Sequence, residues 1–189
     1  METKDLKTLK SLLEPLLNLT AHCTPNKIDF CKVEGMLDFL ISKLRSTTNT
    51  SLSSSVSSSA SQLSPTELAI VENSGGILRN ISSYLVTRED LIEKLRSQNI
   101  VAILLEQLKA ASLAVVSNAC ITLSYLAARS LQDALKIKEL GGIQILHGLT
   151  NSKHEPIKLG ASKTLQHLFT SHLNNYNGSF KGKHWFTFW

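Results

Sequence analysis

Apolar residues recur along this chain at the 3.6-residue spacing of amphipathic helices, broken at regular places by glycine, proline and serine. Leu6, Leu9, Leu13, Leu16 and Leu17 predict a helix over 5–21. Pro15 lies inside it, where a missing N–H and a ring clash cost about 3 kcal/mol, so the helix either kinks there or effectively starts at Glu14. Thr24-Pro25-Asn26 reads as a turn, 27–32 as a short helix, and 36–45 as a helix with Leu37, Leu40, Ile41 and Leu44 inward. Ser64-Pro65-Thr66-Glu67 is a capping box with proline at the first helical position. It opens a helix over 65–86 whose inner face carries Leu68, Val71, Gly75, Leu78, Ser82 and Leu85. Gly75 and Gly76 each cost about 1 kcal/mol against alanine, which suits a close approach of neighbouring helices better than an exposed stretch. The same alternation predicts helices over 88–95, 100–108, 113–128, 132–137, 142–149 and 156–169.

These helices repeat in a fixed order. Asn18, Asn80, Tyr125 and His167 hold the same place in the four long helices, at intervals of 62, 45 and 42 residues. Gly35, Asn99 and Gly141 mark corners in phase with them, at intervals of 64 and 42. The long first interval contains a serine-dominated stretch, residues 46–64, that buries too little apolar surface to offset the entropy of ordering; a flexible insertion is expected there. A helical unit of about 40–47 residues is the period of armadillo and HEAT arrays. The expected fold is therefore all-α, an armadillo-type right-handed solenoid of three to four three-helix repeats over 1–170. Beyond Ser171 the periodicity ends, and 171–189 is expected to be an irregular tail with aromatics at Trp185, Phe186, Phe188 and Trp189.

Composition changes this picture little. With 42% hydrophobic but only 6% aromatic residues, helix-on-helix packing is favoured. No apolar run approaches the roughly 18–20 residues of a membrane span, and residues 1–5 lack the features of a signal peptide. Cys23, Cys31 and Cys120 have no metal-ligand spacing and read as reduced thiols of a cytoplasmic protein. The net charge of +5 is spread thinly, favouring an acidic partner segment over nucleic acid, for which no basic cluster with interleaved aromatics is present. Catalysis, cofactors and metals find no support. No phosphate-binding glycine loop occurs, and His167 and His172 are five apart, not the four that would stack them on one helical face.

Three phrases carry a resemblance. They are Asn18-Leu19-Thr20-Ala21-His22-Cys23-Thr24-Pro25-Asn26-Lys27, Glu72-Asn73-Ser74-Gly75-Gly76-Ile77-Leu78-Arg79-Asn80, and Val116-Ser117-Asn118-Ala119-Cys120, with Asn151-Ser152-Lys153-His154 fitting behind them. Together they resemble the last armadillo repeats of the adenomatous polyposis coli family, over roughly 6–169. The resemblance implies a scaffold that restrains Wnt signalling by helping a kinase complex mark β-catenin for destruction. It also implies an armadillo groove for peptide segments of Rho-family exchange factors, a kinesin-associated protein and destruction-complex components, at the cytoskeleton or cortex. The family's β-catenin-, axin- and microtubule-binding segments lie outside this stretch, so the chain is expected to be a piece or a shortened relative. The alternatives are a generic armadillo adaptor and an importin-like cargo binder; the latter wants regular acidic and tryptophan positions that this sequence does not supply.

In such a stack the third helices line the concave face. Asparagine amides there match the unpaired N–H and C=O of an extended peptide, and arginine can hold a carboxylate in a bidentate pair. The expected groove residues are Asn18, Asn73, Arg79, Asn80, Asn118 and Lys163, with Tyr125 and His167 on the same faces and Arg129 beside them. Against the family pattern, Ser124-Tyr125 stands where Trp-Asn is expected, Gln166-His167 where Arg-Asn is, and Leu17 where tryptophan is.

Overall fold

The computed structural model describes residues 4–52 and 63–178. Ten helices and no strands occur among them: α1 (Lys4–His22), α2 (Thr24–Lys32), α3 (Met36–Leu52), α4 (Pro65–Leu85), α5 (Glu89–Ser97), α6 (Ile100–Gln107), α7 (Leu113–Arg129), α8 (Leu131–Glu139), α9 (Gly142–Leu149) and α10 (Glu155–Gly178). They group as three units of three helices, α2–α4, α5–α7 and α8–α10. A leading long helix, α1, packs on α4 as α4 packs on α7 and α7 on α10. The fold is an all-α solenoid whose spine is α1, α4, α7 and α10.

One continuous core follows from the apolar faces. Leu40, Ile41 and Leu44 of α3, Ile77, Leu78 and Ile81 of α4, Leu104 of α6, Leu123 of α7 and Leu168 of α10 are all fully buried in it. The corner between the first two helices of each unit is built the same way three times. Gly35, Asn99 and Gly141 have φ of 78°, 58° and 76°. Glycine enters this left-handed region freely, and asparagine more readily than other side chains. The phase read from sequence thus marks a real backbone requirement. Asn99→Gly should leave the urea midpoint unchanged or slightly raised, whereas Asn99→Val should cost about 1–2 kcal/mol; equal midpoints for the two variants would contradict the corner's role.

Local signals explain the boundaries. At the start of α4, Ser64 Oγ accepts from the Glu67 N–H at 3.3 Å and Glu67 Oε2 accepts from the Ser64 N–H at 2.8 Å, the reciprocal capping box. That backbone N–H, with the Ser64 hydroxyl beside it, holds the Glu67 carboxyl below its usual range. Pro15 neither ends α1 nor restarts it: the helix runs through from Lys4 to His22. Pro15 and Ser11, whose carbonyl the proline leaves without its helical donor, are both exposed residues. Pro25 does not make a turn but occupies the first turn of α2, which opens at Thr24. Asn26 Nδ2 donates to the Leu19 carbonyl at 2.9 Å, tying α2 back onto α1.

Two helices overrun their expected ends. The backbone of α3 continues to Leu52 and that of α10 to Gly178, past residues 45 and 169. Extending an existing helix through serine, threonine and asparagine costs only tenths of a kcal/mol per residue, far less than nucleating one. The rest of the serine-rich insertion, 53–62, and the aromatic end of the tail lie outside the described residues.

Candidate functional site: the face of the stacked long helices

Consecutive long helices are joined at each junction by a side chain to backbone bond, though from a different position each time. Asn80 on α4 donates its amide to the Leu17 carbonyl of α1 at 3.1 Å and to Thr20 Oγ1 at 3.3 Å. Asn118 on α7 donates to the Glu72 carbonyl of α4 at 3.1 Å. Thr164 on α10 donates to the Cys120 carbonyl of α7 at 3.3 Å, sharing its proton with the Gly160 carbonyl at 2.8 Å. Glycines lie at these contacts, and two of them, Gly76 and Gly160, leave no room for a further carbon. Asn118 lies over Gly75, and Leu17 and Asn118 crowd Gly76 from the two sides. At Gly160 the Cys120 backbone itself comes within 3.2 Å of where a Cβ would stand.

This geometry divides the expected groove residues. Asn18 and Lys163 are exposed and Asn73 is half-buried; none of the three side chains bonds to another described residue. Asn118, only 7% exposed, is an inter-helix clamp rather than an open groove amide. Asn80 is also committed, because its carbonyl oxygen receives Arg79 Nε at 3.3 Å and Nη2 at 3.0 Å while its amide holds α1. With both amide hydrogens and both oxygen lone pairs used, it offers nothing to a peptide. What it does is aim Arg79. The half-buried guanidinium keeps its Nη1 edge unbonded among the described residues, so it can still take a carboxylate.

Farther along the stack, α7 and α10 part into an open cleft of about 470 Å3. Ile121 and Ala128 of α7 and Pro156 and Leu159 of α10 form its apolar walls, with Leu159 49% exposed and Tyr125 37% exposed at its lip. Lys163 and His167 stand one helical turn apart on the α10 side. Sequence reasoning placed Tyr125, Lys163 and His167 on this face but missed the cleft; the visible signal was Gly160, a helix-interior glycine beside an outward leucine. Arg129 departs from expectation, opening instead on a separate cavity of about 180 Å3 beside Arg96 of α5 and Asp133 of α8.

The thiols have no visible chemistry. Burial pushes Cys31 up to about 11, with the Arg88 charge pulling weakly the other way, and Cys120 up to about 12. Both stay protonated at neutral pH. Among the described residues no three His, Cys, Asp or Glu are placed to hold a metal, and no helix is long and apolar enough to cross a membrane.

A spine of stacked long helices, joined at each junction by an asparagine or threonine clamp, defines an armadillo-type solenoid, and solved structures agree on the fold. A designed armadillo repeat protein superposes with a TM-score of 0.63 at 20% identity, over 89% of this chain and 60% of its own. A computationally designed armadillo protein does so with 0.60 at 19%, over 84% and 57%. No family model matches the chain. Against individual proteins, the chain is 42% identical over 178 residues to the adenomatous polyposis coli homolog of Xenopus laevis and, equally, to the adenomatous polyposis coli protein of Homo sapiens. It is 44% identical over 161 residues to adenomatous polyposis coli protein 2 of Homo sapiens. The first two matches cover 93% of this chain and the third 85%, but each only 6% of the relative. Over this segment the chain belongs to the adenomatous polyposis coli family.

Proposed function

We propose that this chain is a non-catalytic, protein-binding armadillo segment of the adenomatous polyposis coli type. Its role would be that of a negative regulator of canonical Wnt signalling through the β-catenin destruction complex, in the cytoplasm and at the cytoskeleton. Its long-helix face would bind extended peptide segments of Rho-family exchange factors, a kinesin-associated protein and destruction-complex components. The carrying observation is Arg79, held by Asn80 with one edge open, on the same spine of helices as the exposed Asn18 and the half-buried Asn73. In support, one solved neighbour is described as designed for modular peptide recognition, and another as bound to the peptide (KR)4. Those ligands do not transfer: with Arg79 and Lys163 on the face, this chain suits acidic-flanked segments. Contacts would come from Asn18, Asn73, Arg79 and Lys163, while Asn80 and Asn118 hold the helices that carry them.

Overlapping segments of a Rho-type exchange factor and a kinesin-associated protein, titrated against the chain, test this reading. For the best binder, Arg79→Ala should cost about 1.5–3 kcal/mol, the range of hydrogen bonds to charged groups, and the loss should shrink in high salt. Asn80→Ala should weaken the same binder through Arg79. Unlike Arg79→Ala, it should also lower stability by about 1–2 kcal/mol, because it strips two inter-helix bonds. Normal binding by Arg79→Ala, or equal binding after every acidic residue of the peptide is replaced by lysine, would sink the reading.

A further inference from the structure

The junctions α4–α7 and α7–α10 differ at one equivalent position, where a cleft opens beside α10. Asn118 precedes Tyr125 by two helical turns, and Gly160 precedes His167 by the same two turns. At the α4–α7 junction the side chain at this position fills the space over Gly75 and bonds to the Glu72 carbonyl. At the α7–α10 junction the position is Gly160, from which no side chain rises to cover the half-buried Ile121. The helices touch at Cys120, and the surface above that contact stays open and apolar.

We infer that this cleft is an anchor pocket for one bulky apolar side chain of an extended protein segment, with a neighbouring carboxylate of that segment held by Lys163. The inference rests on the peptide-binding reading above and names what the segment must contain. Three observations carry it. The volume of about 470 Å3 lies within the range of ligand-sized pockets. Tyr125 and Leu159 expose large apolar area to water at its lip, which an inserted side chain would cover. The charge is also asymmetric. Glu155, at the far end of the lining of α10, is paired with Lys158 at 3.6 Å, whereas Lys163 pairs with no described residue. An acidic partner is therefore attracted at the Lys163 end, one turn from His167, while the neutralised Glu155–Lys158 end offers it no such attraction. That sets the direction of the bound segment as well as its composition.

The probe is a short fluorescein-labelled peptide carrying one tryptophan and, beyond it, one aspartate in a glycine–serine background. Its anisotropy is followed against the whole chain. Replacing the tryptophan by alanine should weaken binding about tenfold or more, the loss expected from leaving one large apolar side chain unburied. Ala128→Leu, which fills the cleft from an exposed position, should weaken the tryptophan peptide comparably without changing the melting temperature; Tyr125→Ala, also at an exposed position, is the second variant. Lys163→Glu should cost about threefold, as befits an exposed ion pair, and should reverse the preference so that a lysine-bearing peptide binds better than the aspartate one. Failure of the tryptophan peptide to bind, indifference to Ala128→Leu, or an unreversed preference in Lys163→Glu would overturn the inference. Partner segments that depend on Arg79 but ignore Ala128→Leu would overturn it while leaving the broader peptide-binding reading intact.

Discussion

Arg96→Ala should lose about 3–5 kcal/mol of stability, the cost of breaking a buried ion pair by removing one partner. Arg96 lies on α5 and reaches across to α8, the equivalent helix of the next unit. Its Nε meets Asp133 Oδ1 at 3.1 Å, its Nη2 meets Asp133 Oδ2 at 3.2 Å, and Nη2 also donates to Ser130 Oγ at 2.8 Å. Burial works against its charge, but the hydrogen bonds to Asp133 and Glu89 outweigh it and hold the guanidinium more firmly charged than usual. The Asp133 side chain is only 3% exposed, so without Arg96 its carboxylate is left in the interior without its charged partner. Glu89 and Glu93 also bond Arg96, yet their side chains are exposed, and neutralising either to glutamine should cost at most about 1 kcal/mol. The double variant Arg96→Met, Asp133→Leu should recover much of the loss, because a buried pair and an apolar replacement are often nearly equivalent. Urea unfolding of the two single variants and the double decides it. A loss below about 1 kcal/mol for Arg96→Ala would show that the pair does not join the units.

Gly160→Ala should lower stability by about 1–3 kcal/mol, although glycine to alanine in a helix interior ordinarily gains up to about 1 kcal/mol. The sign reverses because of what the added carbon meets. It would stand 2.8 Å from Cys120 Cβ, 3.2 Å from the Cys120 carbonyl carbon and 3.3 Å from the Ile121 nitrogen. None of these is the end of a flexible side chain, so α10 must lift away from α7 and strain the Thr164 bond to the Cys120 carbonyl. Gly75→Ala is the matched control. There the new carbon meets Asn118 at 3.5 Å, an ordinary contact, and the variant should be neutral or slightly stabilised. Thermal melts of the pair separate the two cases, and a Gly160→Ala protein more stable than the parent would contradict the close approach.

The periodic parts of this fold were legible because their causes are local. The capping box at Ser64, the left-handed corners at Gly35, Asn99 and Gly141, and the leucine faces of the long helices all follow from residues a few positions apart. Helix ends were less legible where weak formers simply prolong an existing helix, as in α3 and α10. The candidate site was legible only as a face. That Arg79, Asn80, Lys163 and His167 belong to the spine followed from spacing. That Asn80 and Asn118 spend their amides on neighbouring helices depends on crossing distances, which no periodicity encodes. For the same reason the Arg96–Asp133 pair and the α7–α10 cleft were invisible beforehand, since each joins residues more than a helix apart in sequence.

Backbone-amide chemical-shift mapping of the whole chain, with an acidic partner segment added to saturation, tests the peptide-binding face most directly. If the spine is that face, the perturbed amides cluster at Asn73 and Arg79 on α4, at Tyr125 on α7 and at Lys163 and His167 on α10, while α5 and α8 around Arg96 and Asp133 stay unmoved. Perturbations centred on α5 and α8, with the amides of α4, α7 and α10 unchanged, would contradict it.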